Sequence, residues 1–167
     1  GCFAASAITA VTVQNTVGVE GVHPIPLDIL EGQIDAVLSD IGADAIKIGM
    51  LHSADAVEVV ARKIEEYGIK NVVLDPVMVS TSGHRLIEES AIETLKRRLV
   101  PLARVITPNI PEGEILSGRK IEGEKDFMSA VELLSNGGKV SVLLKAGHLK
   151  DNVLVDYFFN AEDGTTT

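Results

Sequence analysis

The chain has 167 residues, 46% of them apolar but only 4% aromatic, so it can bury one aliphatic core of the kind that packs around a sheet. Its net charge of −9 leaves no basic stripe for nucleic acid and is unfavourable for an anionic membrane surface. The lone Cys2 excludes an intrachain disulfide and fits a reducing, cytoplasmic setting, and no apolar run reaches the ~20 residues that span a bilayer.

Residues 7–14 (AITAVTVQ) alternate and are β-branched, which predicts a strand. Residues 15–21 read as a polar, glycine-containing loop. Pro24 and Pro26 then lead into a helix over 27–41, with Leu27, Leu30, Ile34, Val37, Leu38 and Ile41 at helical period. A short strand is expected at 45–48. Ser53 is placed to cap the next helix, which ends at Gly68 and turns Ala54, Val57, Ala61 and Ile64 inward. Residues 71–75 read as the third strand and 76–85 as a loop. A helix marked by Ile92, Leu95 and Leu99 stops before Pro101. A strand at 104–107 precedes a short helix that starts at Pro111 and ends near Gly118. Gly123 and Glu124 open a further helix through Leu134, closed by Gly137 and Gly138. Strands at 141–145 and 154–160 finish the chain, the last paired as a hairpin or flap. This order predicts one α/β folding unit with a mostly parallel sheet and helices on both faces.

Three apolar strands end on polar residues of different kinds: Asp75, then Asn109 with Glu112, then Lys145. In open α/β sheets ligands bind beyond the carboxyl ends of the strands, so these groups are expected on one rim. Two carboxylates, an amide and an ammonium there suit a nucleotide polyphosphate with Mg²⁺. Each residue also has a plainer reading. Asp75-Pro76 is ordinary turn chemistry. Asn109 and Glu112, three apart at a helix start, form a capping box as readily as a metal site. Lys145 could pair with Asp75 or Asp156 rather than a phosphate. Gln14 and Met50 also follow strands, where an amide and a soft thioether suit a heteroaromatic ring as well as ordinary packing.

Other chemistries lack their signatures. There is no GxxxxGK[ST], no GxGxxG between strand and helix, and no GxSxG elbow. His23, His52, His84 and His148 show no zinc-ligand spacing.

Five runs carry a resemblance: VTVQNTVGV (11–19), IKIGML (46–51), VVLDPVMVSTSGHRLI (72–87), ITPNIPEGEIL (106–116) and LLKAGHL (143–149). Together, and in this order, they closely resemble the hydroxymethylpyrimidine/phosphomethylpyrimidine kinases of thiamin biosynthesis, in the ribokinase superfamily. The resemblance implies a three-layer α/β/α ribokinase-like sandwich over 1–167. It implies ATP and Mg²⁺ as cofactors, a small pyrimidine as substrate, and a homodimer. The activity implied is phosphorylation of 4-amino-5-hydroxymethyl-2-methylpyrimidine and then of its monophosphate. Gln14 would hydrogen-bond the aminopyrimidine, and Met50 and Val77 would pack on its ring. Asp75 would act near the transferred phosphoryl and the metal, Asn109 and Glu112 would serve the metal–phosphate region, and Lys145 the nucleotide phosphates.

Gly113 stands where the family usually has Ala, Ala146 where Gly is usual, and His84 where Asp is common. The family's opening Gly-rich segment and its GTGC-type segment, which holds the anion hole and the expected catalytic residue, have no counterpart in 1–167. The expectation is therefore the middle of a kinase of ~260 residues, nearly inactive by itself, whose catalytic residue lies beyond Thr167. A pyridoxal or pyridoxine kinase, or a non-catalytic ligand-binding protein on the same scaffold, are the alternatives.

Overall fold

The computed structural model describes residues 1–78, 86–145 and 155–167. The expected loop residues Ser80 to Gly83, with His84, and the stretch from Ala146 to Leu154, with His148, lie outside the described residues.

Among the described residues, seven strands and five helices follow in order. They are β1 (Ala10–Gln14), β2 (Val19–Pro24), α1 (Leu27–Asp40), β3 (Ile46–Ile48), α2 (Ala54–Glu66), β4 (Val72–Leu74) and α3 (Glu89–Arg98). A 3₁₀ turn (Val100–Leu102), β5 (Val105–Ile106), α4 (Ile110–Ser117), α5 (Glu124–Leu134), β6 (Ser141–Leu144) and β7 (Tyr157–Phe159) complete the chain. The main sheet has the order β3-β4-β5-β6-β7, parallel through β6, with β7 antiparallel at its edge.

One expectation is corrected. The strand at 7–14 does not open the parallel sheet. Its strand portion, β1, pairs antiparallel with β2 in a separate hairpin, and part of the segment read as loop is strand. Gly21 and Pro24 disguised β2, because both are poor interior strand residues and are tolerated in an edge pair. The turn is closed locally: the Asn15 side-chain oxygen accepts from the amides of Val17 and Gly18.

Local chemistry marks the ends of α2 and α4. Ser53 caps α2 by accepting from the Ala56 amide. Gly68 and Gly118, with φ of 64° and 68°, follow the last turns of α2 and α4 in the left-handed region that glycine enters without steric cost.

The strand register sorts side chains onto two faces. Ile48, Val72, Leu74, Ile106, Val142 and Leu144 share one face and are all buried. Lys47, Val73, Val105 and Leu143 share the other, where none is fully buried. The strand order steps in one direction from β3 to β6, and by the right-handed rule for parallel crossovers α2, α3 and the α4–α5 pair then fall on the same side. Burial follows that arrangement, since the face these helices cover is the buried one.

α1 packs Leu30 and Ile34 against the core and shares a charge cluster with α2. Leu30 is its only buried residue. Arg62 clamps Glu31 with two hydrogen bonds of 2.8 and 2.9 Å. Lys63, itself buried, lies 3.0 Å from Glu31, 2.8 Å from Asp35 and 2.9 Å from Glu66.

Candidate active site

The strand ends bring Asp75, Asn109 and Lys145 together. Alternation carries Lys47, Val73 and, one step past β4, Asp75 to the half-covered face. Asp75 is set by backbone as well, since its amide donates to the Ile48 carbonyl at 2.9 Å. Beyond β6, Lys145 bridges to Asn109, and its amide donates to the Pro108 carbonyl. The Lys145 ammonium thereby reaches Asp75 Oδ1 at 2.9 Å. Asp75 is one of its two plainer partners.

Sequence reasoning missed Lys47. It interrupts an apolar strand (Ile46-Lys47-Ile48), and only the register shows that it faces Asp75. Its ammonium lies 3.0 Å from Asp75 Oδ2. Burial by itself would raise the Asp75 carboxyl, but hydrogen bonds from Lys145 and Lys47 outweigh it and hold the group below its ordinary value.

Glu112 is 3% exposed in the first turn of α4. Its Oε2 accepts from the Asn109 amide at 2.9 Å, and the Asn109 side chain accepts from the Glu112 amide at 2.9 Å, which completes a capping box. Oε1 accepts from the Met78 amide at 3.3 Å. Burial raises the Glu112 carboxyl, and those two amides only partly offset it. Lys145 and Asp75 act on it electrostatically in opposite senses, so the three groups share one field. The capping role is realised, and each carboxylate oxygen still has a lone pair to offer.

Gln14, Met50 and Val77 are placed less closely. Gln14 is exposed at the end of β1, where a bulge in the hairpin pairs it with Val19 rather than Glu20. Bulges of this kind re-aim a side chain. Met50 is half-buried past β3, and its carbonyl accepts from Thr9 Oγ1 at 2.8 Å, which ties the start of the hairpin to the end of that strand. Val77 is half-buried two residues beyond Asp75. A groove of about 940 Å³ runs beside β3, lined in part by Ala7, Ile34, Leu38, Lys47 and Met50. Asp75, Glu112 and Lys145 lie outside it. The groove meets the charged rim at Lys47.

This arrangement can do two things. The paired lysines can receive an anion at the rim, and the buried and half-buried carboxylates can hold a hydrated divalent cation, as the hard oxygen donors of Asp and Glu suit Mg²⁺. Among the described residues no group of three or more His, Cys, Asp or Glu is arranged to hold a metal by itself, so such a cation would need phosphate oxygens to complete its shell.

Comparison with known proteins gives the family. The family model for phosphomethylpyrimidine kinase matches residues 1–167. The chain is 48% identical over 159 residues to the hydroxymethylpyrimidine/phosphomethylpyrimidine kinase of Bacillus subtilis, covering 95% of this chain and 59% of that protein. It is 46% identical over 160 residues to the thiamine biosynthesis bifunctional protein ThiED of Geobacter sulfurreducens, covering 96% of this chain and 33% of that one. The chain thus spans less than two thirds of these relatives. Among solved structures, phosphomethylpyrimidine kinase from Clostridium difficile superposes with a TM-score of 0.88 at 39% identity, covering all of this chain and 71% of that one. Bacillus subtilis pyridoxal kinase, in an ADP complex, superposes with a TM-score of 0.82 at 33% identity, over 96% of this chain and 61% of that one. The ribokinase-like α/β fold is shared with both, and this chain belongs to the phosphomethylpyrimidine kinase family.

Proposed function

We propose that the protein carrying this chain transfers the ATP γ-phosphoryl group to 4-amino-5-hydroxymethyl-2-methylpyrimidine and then to its monophosphate, in thiamin biosynthesis. The observation that carries the reading is the Asp75–Lys145 pair, with Lys145 bridged to the Asn109 whose capping box holds Glu112, in a chain whose whole length matches this family. Lys145 neutralises nucleotide phosphate charge. Asn109 fixes the first turn of α4 and so aims Glu112. Asp75 and Glu112 are the groups that would hold Mg²⁺ through coordinated water, and Mg²⁺ when bound supplies charge neutralisation on the phosphates. Gln14 pairs with the aminopyrimidine edge, while Met50 and Val77 flank the ring. The reading also carries a homodimer in the cytoplasm. Among the described residues no helix is long and apolar enough to cross a membrane.

Pyridoxal is the competing substrate, because pyridoxal kinases superpose at TM-scores near those of the pyrimidine kinases. Steady-state kinetics of the complete protein with the pyrimidine, its monophosphate and pyridoxal as rival acceptors test the assignment. The expected result is a kcat/KM at least tenfold higher for the pyrimidine, about 1.4 kcal/mol of discrimination. A preference for pyridoxal would reassign the substrate. Sedimentation of the same protein tests the dimer.

A further inference from the structure

Asp75 offers two oxygens, and each faces a different ammonium. Lys145 lies 2.9 Å from Oδ1 and Lys47 lies 3.0 Å from Oδ2. The two lysines arrive from opposite flanks of β4: Lys47 from the adjacent edge strand β3, Lys145 from beyond β6, two strands away on the other side. The Asp75 side chain is 17% exposed, against 42% for Lys145 and 64% for Lys47. One carboxylate is thus held by two cations when one would neutralise it. The surplus matters because a half-buried carboxylate stripped of its only partner is costly. With two partners, one lysine can turn to an incoming anion while the other keeps Asp75 paired.

We propose that Lys47 is a positioning residue for phosphoryl transfer: it retains Asp75 through Oδ2 while Lys145 leaves Oδ1 to engage a nucleotide phosphate. The proposal rests on the kinase reading above. Lys47 suits the part because its backbone is fixed by the parallel register, Ile46, Lys47 and Ile48 lying opposite Val72, Val73 and Leu74. The same register keeps Lys47 and Asp75 on one face of neighbouring strands, ~4.8 Å apart in backbone spacing. Lys145 lies just past the end of its strand and its side chain is exposed enough to redirect. Without Lys47, Lys145 would be the remaining partner of Asp75, and ATP would have to break that pair in order to bind. Lys47 also stands three residues before Met50, so the segment that holds Asp75 is the one that flanks the pyrimidine.

The test uses the complete protein with ATP and the hydroxymethylpyrimidine. K47M should raise the KM for ATP roughly tenfold and leave the KM for the pyrimidine within about twofold, the pattern of lost nucleotide binding. K47R should restore the ATP KM to within about threefold of wild type. In the D75N background Lys145 is no longer held by a carboxylate, so adding K47M should have no further effect. An unchanged ATP KM in K47M, with or without a lower melting temperature, would overturn the proposal. So would a double variant that loses the full K47M factor on top of the D75N loss, since Lys47 would then act independently of Asp75. A wild-type protein that phosphorylates neither pyrimidine would instead sink the kinase reading itself, a result distinct from an active wild type with a silent K47M.

Discussion

The Glu112 side chain accepts the Met78 amide at 3.3 Å, so the segment that leaves β4 is tied to the first turn of α4. Asn109 closes the same carboxylate from its other oxygen. One side chain thereby fixes the spacing between the residues after Asp75 and the helix that follows β5. Removing it orphans two backbone donors. Glu112→Ala is expected to destabilise the fold by about 1–3 kcal/mol, read as a lower urea midpoint at unchanged slope. A midpoint within error of wild type would show that water replaces the carboxylate without cost.

The pH dependence at Glu112 runs against the usual carboxylate trend. Burial holds its carboxyl above the ordinary value of 4.5, so the folded state takes up its proton more readily than the unfolded chain. Its favourable contribution is present below that value and is lost as pH rises through the folded pKa. Wild-type stability minus that of Glu112→Gln should therefore fall as pH is raised from about 4.5. Urea unfolding of both proteins across that range checks it, and a difference that grows with pH would refute the assignment.

The α1–α2 clamp behaves the opposite way. Hydrogen bonds from Arg62 and then Lys63 hold Glu31 down to about 2, and Lys63 first, then Tyr67, hold Asp35 below its ordinary value. Their contribution is full above the unfolded carboxylate range and is lost as pH falls from 4.5 toward about 2. Lys63→Met should lower the melting temperature at pH 7, and the deficit should shrink in acid as the carboxylates protonate. Thermal melts of wild type and variant at neutral and acid pH read both effects.

Asp75→Asn removes the charge that both lysines share while keeping the shape. A loss in kcat of roughly 10²-fold is expected for the complete protein, with its circular dichroism unchanged. A wild-type kcat in this variant would remove Asp75 from the reacting site.

Gly113 is closely packed. A Cβ there would stand 3.0 Å from Leu144 Cδ1 and 3.3 Å from Ile121 Cδ1. Gly113→Ala gains about 0.5–1 kcal/mol of helix propensity, and the two buried side chains must yield a few tenths of an ångström against it. The net change expected by chemical denaturation is within about 0.5 kcal/mol of zero.

Much of this was legible in the sequence, for physical reasons specific to each element. Val72-Val73-Leu74 and Val142-Leu143-Leu144 announce themselves because parallel strands read as continuous apolar runs, and the polar residue that ends each one falls on the rim. Ser53, Asn109 and Gly118 mark helix ends because caps are local chemistry. What stayed hidden depends on pairing between distant segments. Lys47 reads as an interruption until β3 is set beside β4. Lys63 reads as ordinary helix surface until α1 brings Glu31 and Asp35 across to it. β2 escaped because antiparallel pairing with β1, rather than its own composition, makes it a strand.

The backbone at the rim has a consequence for recognition. The amides of Asp75, Thr107 and Lys145 each donate to a neighbouring segment, at Ile48, Leu74 and Pro108. Those of Val77, Met78 and Asn109 are spent on Asp75 and Glu112, and Pro76 and Pro108 have none to give. These residues cannot cradle a phosphate with N–H groups in the manner of a glycine-rich loop. What they offer an anion is ammonium charge from side chains more than a third exposed, a long-range attraction that counter-ions weaken. Nucleotide affinity at this rim should therefore fall markedly as ionic strength is raised from 0.05 to 0.5 M, on the order of tenfold.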